Sequence, residues 1–193
     1  AEEMARLDNI QVVEYLFHRY RYDVHPSDRV LDLYPPCVQI EPSSVCNYRC
    51  KFCFQTNPSF SGKDSAHMGY MSLSDFKRSV DLISDKVHIV SLASRGEPTL
   101  AKNFLDMLDY ASSRFISLKI NTNASLLTEN VCHAILSNME FGTIVFSADA
   151  AEEDLYNKIR VKGNNIIAVS NFGLPNSDKL YFKSAIINLK KEK

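Results

Sequence analysis

The chain has 193 residues, 45% of them hydrophobic, with 22 Lys+Arg against 23 Asp+Glu and a net charge of −1. That is enough for one domain with a real core, and the charge balance gives no global pull toward nucleic acid or an anionic membrane. The acidic opening Ala-Glu-Glu-Met has no apolar h-region, and no apolar run approaches the roughly 18 residues that span a bilayer. Five cysteines, three of them bunched, fit a reduced cytoplasmic compartment better than a secreted disulfide framework.

Residues 4 to 20 put Leu7, Ile10, Val13, Tyr15, Leu16 and Phe17 at helical spacings and predict an amphipathic helix. Pro26, Pro35 and Pro36 make residues 21 to 36 an irregular linker, so 1-36 reads as helix plus linker and 37-193 as the core domain. The pattern then alternates, and Cys37 to Glu41 is the first strand, with a cysteine-rich loop after it. Beyond an irregular stretch from Pro58 to Tyr70, Ser72 opens a helix to about Ser84 with Asp75 as capping-box partner. Val87 to Ala93 is strand two, Asn103 to Ser113 a helix, and Ile116 to Asn121 strand three. Thr128 caps a helix over 129 to 138, and Thr143 to Ser147 is strand four. Glu152 to Ile159 is a short helix, 164 to 171 another, and Leu180 to Leu189 strand five. Strands alternating with helices of this length imply right-handed crossovers and a parallel sheet, whose chemistry belongs on loops after the C-terminal strand ends. An alanine at position 1, and a last strand followed only by Lys190 to Lys193, read as a fragment of a longer protein.

The run CNYRCKFC brings Cys46, Cys50 and Cys53 together. Soft thiolates select zinc, copper(I) or iron-sulfur clusters. A structural zinc site wants four ligands, usually as two separated pairs, and no second CxxC occurs. A 4Fe-4S cluster on three cysteines leaves one iron open to an exogenous molecule. A zinc knuckle completed by His67, or chance neighbours, are the alternatives. Cys37 and Cys132 read as buried small hydrophobes.

Three more polar motifs sit at strand ends: Arg95-Gly96-Glu97-Pro98-Thr99, Asn121-Thr122-Asn123 and Ser147-Ala148-Asp149, followed by Tyr156 to Arg160. Alone, these are turn formers, caps and strand-to-helix punctuation, and Arg160 a solvated helix charge.

Together they carry a resemblance. CxxxCxxC with Phe52 before the third cysteine resembles the cluster loop of the radical S-adenosylmethionine enzymes. The GEP, NTN, S-x-D and Tyr-x-x-Ile-Arg segments are similar to the SPASM-type branch, over roughly residues 37 to 190. The resemblance implies an α/β fold, a partial (β/α)6 barrel with about five βα units present, an N-terminal helical extension and no sixth unit. It implies a 4Fe-4S cluster on Cys46, Cys50 and Cys53, the catalytic and metal-ligating residues. S-adenosyl-L-methionine then chelates the open iron and is cleaved to a 5'-deoxyadenosyl radical that abstracts a substrate hydrogen. Phe52, Gly96, Glu97, Pro98, Asn121, Asn123, Ser147, Asp149 and Arg160 are the implied cofactor-binding residues. Glu97 and its neighbours would meet the amino group of the methionine moiety, Ser147 and Arg160 its carboxylate, and polar groups near strands three and four the ribose. Tyr48, Phe52 and Phe54 would shield cluster and adenine, or pack as core. Ser94-Arg95 stands where many members have a further glycine. The implied partners are a peptide or a small alcohol substrate and an external electron donor such as flavodoxin or ferredoxin. A viperin-like nucleotide-modifying enzyme, or a non-catalytic iron-sulfur or zinc module, is the second reading.

Overall fold

The computed structural model describes residues 9–62, 67–93, 95–139, 142–150, 152–162 and 185–188. Helix α1 (Asn9–Asp23) and a short α2 (His25–Asp28) lead into β1 (Cys37–Ile40). The linker is thus more regular than expected. Pro26 falls in the first turn of α2, where its missing N–H costs nothing. Asp32 then fixes the segment by meeting His25 Nδ1 at 2.9 Å and Arg21 Nε at 3.1 Å.

Alternation of strand and helix follows: α3 (Pro58–Ser61), α4 (Leu73–Ile83), β3 (Ile89–Leu92), α5 (Phe104–Ser112), β4 (Ser117–Thr122), α6 (Glu129–Asn138) and β5 (Gly142–Phe146). A two-residue strand β2 (Arg49–Cys50) lies in the cysteine loop. The caps come from local sequence: Ser72 Oγ accepts from Asp75 N at 3.0 Å, and Thr128 Oγ1 from Val131 N at 3.4 Å. Strands β1, β3, β4 and β5 pair in parallel in that order, which requires helical crossovers.

One face of this sheet is apolar. Ile40, Val90, Leu92, Leu118, Ile120, Ile144 and Phe146 pack with Phe76 and Val80 of α4, Met107 and Leu108 of α5, and Ile135 of α6. Each such fully buried side chain contributes about 1.5–3 kcal/mol. The opposite face carries Gln39, Ser91, Lys119 and Thr143, one residue from each strand in a single register row. Helix α1 approaches this polar face, and Cys37 lies there too, lining a cavity rather than the apolar core.

The fifth strand departs from expectation. Strand β7 (Ala185–Asn188) pairs with β5 antiparallel, not parallel. Between β5 and β7 the described residues hold α7 (Glu153–Ile159), which runs into β6 (Arg160–Val161), and β6 pairs with β2 of the cysteine loop. The helix expected over 164–171 lies outside the described residues. The half-barrel is therefore four parallel strands closed by one antiparallel strand. Among the described residues no helix is long and apolar enough to cross a membrane.

Candidate cofactor site at the C-terminal strand ends

The cysteine loop leaves β1 at its C-terminal end and is braced on three sides. From one side, Gly96 presses against its start: a Cβ there would sit 2.1 Å from the Ser43 carbonyl oxygen, so only glycine allows the approach. Glu97 N then donates to Val45 O at 2.9 Å, and Gln55, 1% exposed, donates through Nε2 to Ser44 O at 2.8 Å and Arg95 O at 2.7 Å. Arg95 itself is held by Glu41 at the end of β1, its Nε at 3.1 Å from both carboxylate oxygens.

From the second side, Asn123 reaches in from the end of β4. Its Nδ2 donates to Asn47 Oδ1 at 2.9 Å and lies 3.8 Å from Cys46 Sγ, while Ser125 Oγ links both asparagines. Tyr48 N also donates to Cys46 Sγ, at 3.4 Å. Hydrogen bonds onto a ligand sulfur are a standard means of tuning a cluster. The third brace is the β2–β6 ladder, which sets Cys50 opposite Arg160. Beneath it Tyr48 and the fully buried Tyr156 pack with Cys50, Cys46 and Cys53. Burial, followed by the nearness of Tyr48, pushes the Tyr156 hydroxyl well above its ordinary value.

All three loop cysteines are free, with Cys50 buried and the other two partly so. Burial raises the Cys46 and Cys50 thiols above their ordinary value, and the three sulfurs feel one another's charge. Among the described residues no group of three His, Cys, Asp or Glu converges on a point that would hold one metal ion. The His67 ring stacks on Phe60. Three soft, free thiolates on one short loop are the donor set that suits a 4Fe-4S cluster with one open iron.

Glu97 is 2% exposed. Its Oε1 accepts from Thr122 Oγ1 at 2.7 Å and from Thr99 Oγ1 at 2.6 Å, and Oε2 from Asn123 N at 2.7 Å. Burial raises its pKa despite these donors, and no cation pairs with it among the described residues. A buried acid whose pKa is raised by desolvation is a candidate functional group. Pro98, also buried, starts the short 3₁₀ turn behind it.

Arg160, 6% exposed, donates through Nε to Asp149 Oδ2 at 2.6 Å, with its second nitrogen on the same oxygen, and lies under the Phe52 ring at 5.6 Å. It is a held charge, not a solvated one. Ser147 N donates to Thr122 O at 2.9 Å, which joins the ends of β5 and β4. Asn121 keeps a buried Oδ1 with no partner among the described residues, an acceptor waiting for a hydroxyl or amine. Phe52 and Phe54 are exposed and Tyr48 is buried, so the three aromatics divide between surface and core. Of the residues that hold the site together, Asn47, Thr99 and Thr122 lie inside the sequence motifs without a role of their own assigned there, whereas Gln55 and Ser125 fall outside them, and Gln55 carries no local signal.

A buried acid lacking its cation, set against three free thiols at the C-terminal edge of a parallel sheet, defines a cofactor-dependent α/β protein of the cluster-bearing kind. Residues 40–169 match the model of the Radical SAM superfamily, and the chain belongs to that superfamily. The mycofactocin maturase MftC of Mycolicibacterium smegmatis is 28% identical over 147 residues, 76% of this chain and 35% of that protein. The GTP 3',8-cyclase of Desulforamulus reducens is 28% identical over 132 residues, 65% of this chain and 38% of the cyclase. Streptococcus suis SuiB shares the fold at TM-scores of 0.60, bound to S-adenosylmethionine, and 0.61, bound to the precursor peptide SuiA. Identity to SuiB is 20–21%, over 86% of this chain and 35% of SuiB. The chain spans about a third of the length of these relatives, which are enzymes. The superfamily uses a 4Fe-4S cluster with S-adenosylmethionine.

Proposed function

We propose that residues 37-193 form the cofactor-cleaving core of a peptide-maturing radical S-adenosylmethionine enzyme, preceded by the helix and linker of residues 1-36. Cys46, Cys50 and Cys53 would hold a 4Fe-4S cluster by three thiolates. Bound there, with an external flavodoxin- or ferredoxin-type donor supplying electrons, the cluster would provide the reductive cleavage of S-adenosylmethionine.

The chain's own residues position that event. Glu97 accepts from the cofactor's ammonium through the free lone pair of Oε2, since Oε1 is already filled by the two threonines. Arg160 is held by Asp149 with its fork toward the loop, and offers a remaining N–H to the methionine carboxylate beside Ser147. Asn121 gives its unpartnered Oδ1 to a ribose hydroxyl. Gly96, Pro98 and Asn123 hold these groups at the cysteine loop, and Phe52 covers its outer side. Free thiols of this kind persist in a reduced cytoplasmic compartment.

One observation carries the reading: a buried carboxylate without a counter-cation beside the cysteine loop. A peptide substrate is favoured because maturases for peptides recur among the relatives, MftC and SuiB with SuiA among them. The test is anaerobic reconstitution followed by dithionite and S-adenosylmethionine. The expected products are 5'-deoxyadenosine and methionine, formed slowly and uncoupled from a substrate. Glu97→Gln should keep its iron and lose most of its affinity for S-adenosylmethionine. A loaded cluster that binds the cofactor yet releases no 5'-deoxyadenosine would leave a structural iron-sulfur module.

A further inference from the structure

The polar face of the sheet holds a second arrangement that the cofactor site does not use. Gln39, Ser91, Lys119 and Thr143 form one row across β1, β3, β4 and β5, in register and adjacent strand by strand. A strand of a parallel sheet is normally apolar on both faces, because both are covered. Here four neighbouring strands place a polar or charged residue at the same level. Together with His18 and Arg19 of α1, the row lines a cavity of about 540 Å³.

The charge in that cavity is one-sided. No carboxylate lines it among the described residues. Arg19 is already committed to Asp23 at 2.6 Å. Burial lowers the pKa of His18, which keeps the ring neutral at pH 7. Lys119 is the remaining cation, in no ion pair among the described residues and close enough to the Cys37 thiol to act on it electrostatically. A single uncommitted ammonium among hydroxyls and an amide suits one negative charge with several hydrogen-bond acceptors. A phosphate dianion would call for more positive charge than the cavity offers.

Position ties the row to the reaction. Lys119 precedes Asn121 by two residues on the same face of β4, so it lies about 7 Å below the cofactor end of the sheet. A group held there sits along the same inner face that the proposed radical opens onto.

We propose that Lys119, with Ser91 and Thr143 beside it, is a substrate anchor that binds a carboxylate of the peptide to be modified. This rests on the peptide-maturing reading above. The carboxylate comes either from an acidic side chain or from the peptide's C-terminus. The anchor fixes how far the peptide enters the half-barrel, and so which residue meets the radical.

The test is a binding titration on the isotope-labelled 193-residue chain, without cluster or cofactor, so that it does not depend on iron loading or on cofactor cleavage. Three probes are compared: a blocked tripeptide with a central Glu, the same peptide with Gln, and an all-Ala peptide with a free C-terminus. The expected result is at least tenfold tighter binding of one carboxylate-bearing peptide than of the Gln peptide, about 1.4 kcal/mol, with amide shifts at Ser91, Lys119 and Thr143. Which of the two binds identifies the source of the carboxylate. Lys119→Met should abolish the preference and Lys119→Arg should keep it; Lys119 is exposed to the cavity, so both should fold. Equal binding of the Glu, Gln and free-carboxylate peptides overturns the proposal, as does a preference that survives Lys119→Met. Inorganic pyrophosphate shifting the same amides more tightly than any peptide also overturns it, in favour of a phosphate-bearing substrate. Loss of 5'-deoxyadenosine formation with this preference intact would defeat the reading of the cofactor site and leave the anchor standing.

Discussion

The two ends of the polar work on this sheet are built to opposite rules. At the C-terminal strand ends the side chains hold one another, with Asn121 Oδ1 left unpartnered among the described residues: Glu97 is bonded by Thr99, Thr122 and Asn123, Asn123 by Asn47 and Ser125, Arg160 by Asp149. Lower on the inner face, Gln39, Ser91, Lys119 and Thr143 border open volume. Committed polar groups hold a geometry, because each added partner raises the cost of any other arrangement. Uncommitted ones facing a cavity leave their bonds to a visitor. The molecule thus separates a rigid holder for the reactive group from an adaptable receiver for what it acts on.

The sharpest break in that comparison lies in the cysteine loop. Cys46→Ala, Cys50→Ala and Cys53→Ala should each abolish reconstitution of about four irons per chain, whereas Cys37→Ala and Cys132→Ala should retain them. Iron and sulfide analysis decides it, and a full cluster in the loop variants would move the cofactor elsewhere. Next in size is Gly96→Ala. A methyl group cannot share the space of the Ser43 carbonyl, so the loop must shift, at a cost of about 1–3 kcal/mol in a denaturant titration. The added methyl should also weaken cluster retention, whereas changes along the lower row should not.

The smallest effect concerns the lower end and follows pH. Burial depresses the pKa of His18 in the folded chain, one ring nitrogen bonding the Pro36 carbonyl while Nδ1 has no partner. The stability this ring contributes is full above the unfolded value near 6.5 and is lost as pH falls through the lowered folded value. The charges facing it, Arg19, Arg21 and His88, all oppose protonation. Acidification below pH ~6.5 should therefore speed hydrogen exchange in α1 before it affects β4, and His18→Gln should flatten the response.

Much of this was legible in sequence where the signal is local. The body of α6 falls at 129–138 as expected because Thr128 supplies its cap and the apolar spacing does the rest. The first four expected strands are legible to within two residues, and Gly96 is recognisable as a point of close approach. Strand direction was not: alternation in Leu180 to Leu189 is the same whichever way the strand runs, and only the pairing of Ala185–Asn188 with β5 shows it to be antiparallel. The role of Gln55 was equally hidden, since its two carbonyl partners come from separate loops. Arg160 reads alone as a solvated helix charge and by resemblance as a carboxylate ligand, but the pairing with Cys50 that sets it beneath Phe52 and onto Asp149 is not visible in sequence. The polar row was invisible for a related reason: one-dimensional alternation marks two faces of a strand without saying which encloses a chamber.

The short β2–β6 ladder has a consequence for the order in which the protein is made. Chains leave the ribosome N-terminus first, at about 5–20 residues per second, and fold as they emerge. The three thiols therefore appear on the order of ten seconds before the segment from Tyr156 to Arg160 that closes over them. During that interval they are exposed sulfurs without their final wall. Whatever delivers iron and sulfide must either wait for translation to pass Val161 or hold the growing chain until it does.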